Sequence, residues 1–179
     1  MRCLEGNETD YIERYQKMTK GEEIKEIIYF EYQRMMRYGG SWHLENKIFL
    51  PGYICVSGTG KTVSRMYREQ GRNAEDAEKQ IEGKATQVKE VVLLNSYEIS
   101  WLKALCTEGN LIDMSRGIIK NGFPVVTEGP LKGQEHLIKK IDRHKRVAEI
   151  EMPFEGRTIR AVIGLEIYRK ETGLRKKQD

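Results

Sequence analysis

The clearest pattern in the chain lies at residues 147–152. Val147, Glu149 and Glu151 alternate with Ala148, Ile150 and Met152. Period two predicts a strand buried on one face. A second strand is expected at 137–142, where Leu137, Ile138 and Ile141 are apolar, and another opens at Val125-Val126. Turn clusters at Gly129-Pro130 and Lys132-Gly133 separate these two. Arg143-His144-Lys145-Arg146 forms a basic hairpin tip between the 137–142 and 147–152 strands. A turn at 153–156 leads to closing strands at 158–163 and 165–168. The second part of the chain therefore reads as a small all-β barrel, from about residue 118 to 170.

The first part mixes periods. Asn7 or Thr9 can cap a helix over 10–18, with acids in its first turn as the helix dipole prefers. Residues 24–38 carry both helix and strand formers. The Tyr38-Gly39-Gly40-Ser41 cluster reads as a hairpin turn and tips the assignment to strand. A return strand follows over 42–56, with a bulge-like break at Pro51-Gly52. Residues 57–60 read as a loop and 61–70 as a helix. Residues 88–94 read as a buried strand. Asn95 and Glu98 have capping-box spacing, opening a helix to about Cys106 whose apolar stripe is Ile99, Leu102, Leu105 and Cys106. Residues 111–120 read as a linker. Hairpins without βαβ crossovers imply a largely antiparallel first sheet, so the fold class expected is α+β.

Composition narrows the function classes. The chain has 179 residues, 32% of them charged, and a net charge of +4. That mild basic bias is compatible with nucleic acid and equally with a solvated surface. Cys3, Cys55 and Cys106 are too far apart for a C-x-x-C site, which argues against a disulfide framework or a zinc centre. Cys55 and Cys106 sit in apolar runs and read as buried thiols. No stretch approaches the roughly 20 apolar residues of a membrane span, and no signal-peptide pattern opens the chain. A soluble cytoplasmic protein is the expectation.

Candidate chemistry is sparse. Ser57-Gly58-Thr59-Gly60-Lys61-Thr62 looks like a phosphate-binding loop, but the pattern needs Gly where Cys55 stands. A nucleotide enzyme built on 57–62 is thus one reading, on an incomplete motif. His43, His136 and His144 lack metal-ligand spacing, and no nucleophile context accompanies them. Two basic clusters stand out. Lys61, Arg65, Arg68 and Arg72 share one helix face, and Lys139, Lys140, Arg143, Lys145 and Arg146 share one edge of the β unit. Either could meet phosphate. The run 48–56 is apolar on both strand faces, so one face is expected to pack inward and the other to form an interaction surface.

Two motifs carry a resemblance. Phe49-Leu50-Pro51-Gly52-Tyr53-Ile54-Cys55-Val56 resembles the apolar P-G-Y strand of the NusG amino-terminal domain. Residues 125–135 (VVTEGPLKGQE) resemble the opening of the KOW domain that follows it, and 141–150, 154–157 and 162–166 continue the match. The closest likeness is to specialised LoaP-type antiterminators. The resemblance implies a ferredoxin-like NusG amino-terminal domain over 1–111, a linker over 112–120, an SH3-like KOW barrel over 121–170 and a polar tail over 171–179.

It also implies a non-enzymatic transcription elongation and antitermination factor with no cofactor. Such a protein docks on the clamp helices of RNA polymerase, here through Phe49, Leu50, Tyr53 and Cys55. It engages a hairpin in nascent RNA. It recruits Rho or a small-subunit ribosomal protein through a KOW loop matching Phe154, Gly156 and Arg157. His136 stands where the family commonly has Gly, and would be strained there if the backbone needed φ > 0. Because KOW units also occur in ribosomal proteins, a ribosome-associated RNA-binding module is a further reading.

Overall fold

The computed structural model describes residues 1–18, 24–61 and 92–171. Among these, the chain is mostly β-sheet with two short α-helices, an α+β arrangement of ten strands. Its contacts divide it into two compact units, Met1–Phe30 with Leu50–Leu93, and Glu31–Phe49 with Leu94–Asp179.

In the first unit, helix α1 (Glu8–Met18) starts where Tyr11 N–H reaches the Asn7 carbonyl, at 3.1 Å. Strands β1 (Ile24–Ile28) and β4 (Cys55–Gly58) pair antiparallel, with Ile27 opposite Val56. The core joins Cys3, Tyr11 and Ile54, with Met1, Ile12 and Tyr15 packed on it. At residues 1–4 the backbone forms a single bridge, Arg2 to Tyr53, flanked by Cys3 N–H to Gly52 O (2.7 Å) and Ile54 N–H to Met1 O (2.9 Å). The loop expected at 57–60 is half strand, because β4 runs through Gly58. Gly60 and Lys61 are helical; the rest of the helix expected at 61–70 lies outside the described residues.

The second unit contains the hairpin of β2 (Phe30–Tyr38) and β3 (Ser41–Phe49). Its two-residue turn has φ of 57° at Gly39 and 80° at Gly40. That double positive φ suits the right-handed twist of a tight hairpin and favours Gly-Gly. Strand β2 also pairs in parallel with β5 (Leu111–Ile112). Helix α2 (Ser96–Leu105) opens on the expected capping box. Asn95 accepts the Glu98 N–H and Glu98 accepts the Asn95 N–H. Leu102 and Leu105 are buried, but Ile99 is exposed, so the apolar stripe is narrower than its spacing implied. Residues 92–94 are not strand, and Leu93 is 56% exposed; the earlier part of the 88–94 assignment lies outside the described residues.

A five-stranded sheet follows in the order β7-β6-β10-β9-β8. Its members are β6 (Ser115–Lys120), β7 (Phe123–Glu128), β8 (Ile138–Asp142), β9 (Val147–Phe154) and β10 (Arg157–Glu171). The stretch read as a linker thus holds β6, which pairs with both β7 and β10. The two closing strands are one continuous strand. Residues 157–164 of β10 pair antiparallel with β9, and 165–171 pair parallel with β6. Strand β9 buries Ala148, Ile150, Met152 and Phe154, as its alternation requires, and Val147 is buried as well. Both sheet edges are protected. Val126 N–H on β7 is taken by Glu135 Oε1 at 3.0 Å. Pro124, on the same side two residues earlier, has no N–H. Strand β8 displays Lys139 and Lys140, which discourage strand addition.

Candidate nucleic-acid interface

The turn between β8 and β9 is shaped by its own acid. Asp142 Oδ1 accepts the Lys145 N–H at 2.9 Å. That bond, aided by the nearby Lys145 and His144, holds the Asp142 carboxyl below its usual range despite some desolvation. Arg146 closes the turn with φ of 52°, an uncommon conformation for a non-glycine residue. Its side chain folds back. Nη1 lies 2.8 Å from Glu166 Oε1, and the guanidinium carbon stands 3.9 Å from the centre of the Trp42 ring. Arg37 approaches the same indole at 5.9 Å. Two guanidiniums near one indole are held by the ring quadrupole and, for Arg146, by Glu166. The basic turn is thereby joined to the β2–β3 hairpin within the second unit.

The structure sorts the five cations expected here. Arg146 is half-buried and bound to Trp42 and Glu166. Lys139 pairs with Glu151 at 3.3 Å, a carboxylate it shares with Arg160. Lys145 lies 4.0 Å from Asp142. Lys140 and Arg143 are exposed and make no ion pair among the described residues. Arg37 adds an exposed guanidinium that sequence reasoning missed. Among the described residues, Arg37, Lys140, Arg143, Lys145 and Arg146 stand against Asp142, Glu166 and Glu149, the last opposite Lys140 in the β8–β9 ladder, which leaves a cationic excess.

The hairpin end carries more. Tyr38 and His43 stack with ring centres 3.9 Å apart and planes 10° from parallel. A ring nitrogen of His43 lies 3.3 Å from the Tyr38 carbonyl oxygen. Tyr38 is raised above the usual phenol range by desolvation and by its hydrogen bond to Glu45. Glu45 is itself paired with Lys47 at 2.8 Å. The signal for these residues was present in the sequence. Once 38–41 is a tight turn, strand alternation sends Arg37 and Trp42 to one face and Tyr38 and His43 to the other.

The remaining site residues are dispersed. Phe49 belongs to the second unit, where it is only 2% exposed and packs edge-on to Tyr32. It cannot serve as the surface anchor that the resemblance implied, because its ring is already inside a core. Leu50, Tyr53 and Cys55 belong to the first unit and are half-buried. They flank a tight turn, with φ of 58° at Leu50 and 82° at Gly52. The buried Glu8 carboxylate accepts the Gly52 N–H at 2.7 Å and fixes that turn. Arg2 lies 5.4 Å over the Tyr53 ring. Burial pushes the Cys55 thiol up. Cys106 is half-buried, and Cys3 is the fully buried thiol.

In the β9–β10 turn, Phe154 is buried and Gly156 N–H donates to Glu98 Oε1 at 2.7 Å. Arg157 is exposed and bonds Glu155. Of that expected partner surface, only Arg157 projects its side chain outward. His136 sits in a short 3-10 helix (Glu135–Leu137) without positive φ, and the left-handed residue nearby is Gly133.

Lys61 is exposed; Arg65, Arg68 and Arg72 lie outside the described residues. Ser57 and Gly58 pair with β1, so the first two of the six residues of the phosphate-loop candidate are held in a ladder and are not free to wrap an anion. Among the described residues, no three His, Cys, Asp or Glu side chains gather to hold a metal ion, and no helix is long and apolar enough to cross a membrane. Compared with known proteins, the chain matches no family model and no curated protein.

Proposed function

We propose that the chain is a non-enzymatic, cytoplasmic transcription elongation and antitermination factor of the NusG kind, with a LoaP-like, operon-specific role. On this reading it engages the clamp helices of RNA polymerase through the turn carrying Leu50, Tyr53 and Cys55, and it grips nascent RNA through the cationic strip of the second unit. The observation that carries the nucleic-acid half is the Arg37–Trp42–Arg146 stack beside the exposed Arg143 and Lys140. Cations outnumber acids there, and among the described residues Arg37, Lys140 and Arg143 make no ion pair with a carboxylate. Such groups bind phosphates and release counterions. The polymerase half is supported by the P-G-Y motif. Its Tyr53 stands on a turn fixed by Glu8, a preorganised and partly open aromatic. The KOW likeness over 125–166 is supported by a β-rich second part with tight hairpins where its motifs lie. Arg157 is the residue offered to a third partner such as Rho or a ribosomal protein.

The test is terminator read-through in transcription with purified RNA polymerase on leader templates. The full chain raises read-through. Tyr53→Ala lowers that gain by about tenfold, the size of one lost aromatic anchor. No read-through on any leader, with folded protein, contradicts the proposal.

A further inference from the structure

We infer that the end of the β2–β3 hairpin is a stacking platform for an unpaired base, formed by Tyr38 and His43. The inference rests on reading the second unit's cationic strip as a nucleic-acid surface, and it names the form of nucleic acid held there, a single strand. Tyr38 is 52% exposed while one face of its ring is covered by His43. The exposed half of the side chain is what remains to receive another ring. The pair is set before any ligand arrives. The His43 ring nitrogen lies 3.3 Å from the Tyr38 carbonyl, and the Tyr38 hydroxyl bonds Glu45. A rigid two-ring stack loses little freedom on accepting a third ring.

The surrounding charge favours a nucleotide over an apolar protein side chain. The Glu45 carboxylate is engaged by Lys47 and Tyr38. Arg34 lies on the same strand face as Tyr38, and its buried Nε has no hydrogen-bond partner among the described residues. Arg37 and, through Trp42, Arg146 lie on the opposite face of the hairpin from Tyr38, so they meet the backbone of a strand that passes round the hairpin end. Aromatic rings with flanking cations are the means by which single strands are held without base-edge readout. A duplex keeps its bases stacked on each other and gains nothing from the platform.

Fluorescence anisotropy on the full chain tests this, with a labelled RNA strand of about 12 nucleotides, the DNA strand of the same sequence, and the corresponding RNA duplex. Tyr38→Ala and Tyr38→Leu weaken binding of both single strands by roughly 5- to 100-fold. They leave duplex binding within about twofold and the salt slope unchanged, while Tyr38→Phe stays near wild type. Arg143→Ala lowers the salt slope by about one for every nucleic acid. If Arg143→Ala acts and Tyr38→Ala does not, the platform alone is overturned. An equal Tyr38→Ala loss on duplex, or a loss confined to RNA, also overturns it, since stacking ignores the sugar. If no oligonucleotide binds, the nucleic-acid reading falls and the platform with it.

Discussion

Arg146 combines three properties that sequence could not separate. It is a cation of the basic tip, it closes a turn in the left-handed region, and it is the guanidinium on Trp42. The stack and the Glu166 pair offset the backbone cost. Arg146→Ala is expected to destabilise the fold by about 1–3 kcal/mol. A urea-melt double-mutant cycle with Trp42→Ala should show coupling between the two residues. Additive losses would mean the stack contributes nothing. Arg146→Lys should recover little, because an ammonium lacks the planar fork that lies on indole and meets a carboxylate together.

Glu135 gives the residue scale a pH signature. Desolvation pushes its carboxyl up. Hydrogen bonds from backbone N–H groups of Glu135 itself, Val126 and Gly133 outweigh this, with help from His136, and hold it below its usual range. A depressed folded pKa stabilises fully above the unfolded value, near 4.3, and that contribution is lost as pH falls through the folded pKa. Urea midpoints should therefore be flat near neutrality and fall in acid. Glu135→Gln should be less stable at neutral pH and lose less on acidification. An identical pH profile would remove Glu135 from the edge-shielding role.

At the scale of elements, what was legible depended on local pattern. Strand β9 was readable because Val147 to Met152 alternate without interruption. Helix α2 was readable because Asn95 and Glu98 announce its start. The mixed propensities of 24–38 resolved correctly once Gly39-Gly40 was taken as a hairpin turn. Strand β6 was not legible, because Ser115, Arg116 and Gly117 show no period and the strand exists through its two neighbours. The single β10 was hidden by Gly164, which looked like a break.

The structure gives Gly164 a different reason. A β-carbon there would stand 2.1 Å from the Gln33 carbonyl oxygen, so only glycine lets β2 approach β10 so closely. Gly164→Ala is expected to cost about 1–3 kcal/mol or more. It should also shift the amide resonances around Gln33 and Met114, whose backbone N–H donates to the Gln33 side chain at 3.2 Å. Unchanged stability would show that the approach is not needed.

At the scale of the molecule, contacts and sequence order divide the chain differently. Motif order placed a boundary near 111–121. The contacts group the 31–49 hairpin with 94–179, partly through a parallel pairing of Glu31 with Leu111 and Tyr32 with Ile112. Periodicity cannot reveal such pairings, because it reports which face of an element is buried and not what covers it. The same limit hid the candidate site. Trp42 and Arg146 are far apart in sequence, and their contact turned a basic loop into a strip with an aromatic centre. Phe49 shows the converse, an apolar residue whose motif pointed outward while its environment turned it inward.

The proposed function makes transcribing RNA polymerase the target of this chain. The most direct measurement is co-elution of the purified full chain with core RNA polymerase, with and without Tyr53→Ala. The wild-type chain is expected to form a stable complex that weakens by about tenfold in the variant. A folded wild-type chain that elutes apart from polymerase at micromolar concentration would contradict it.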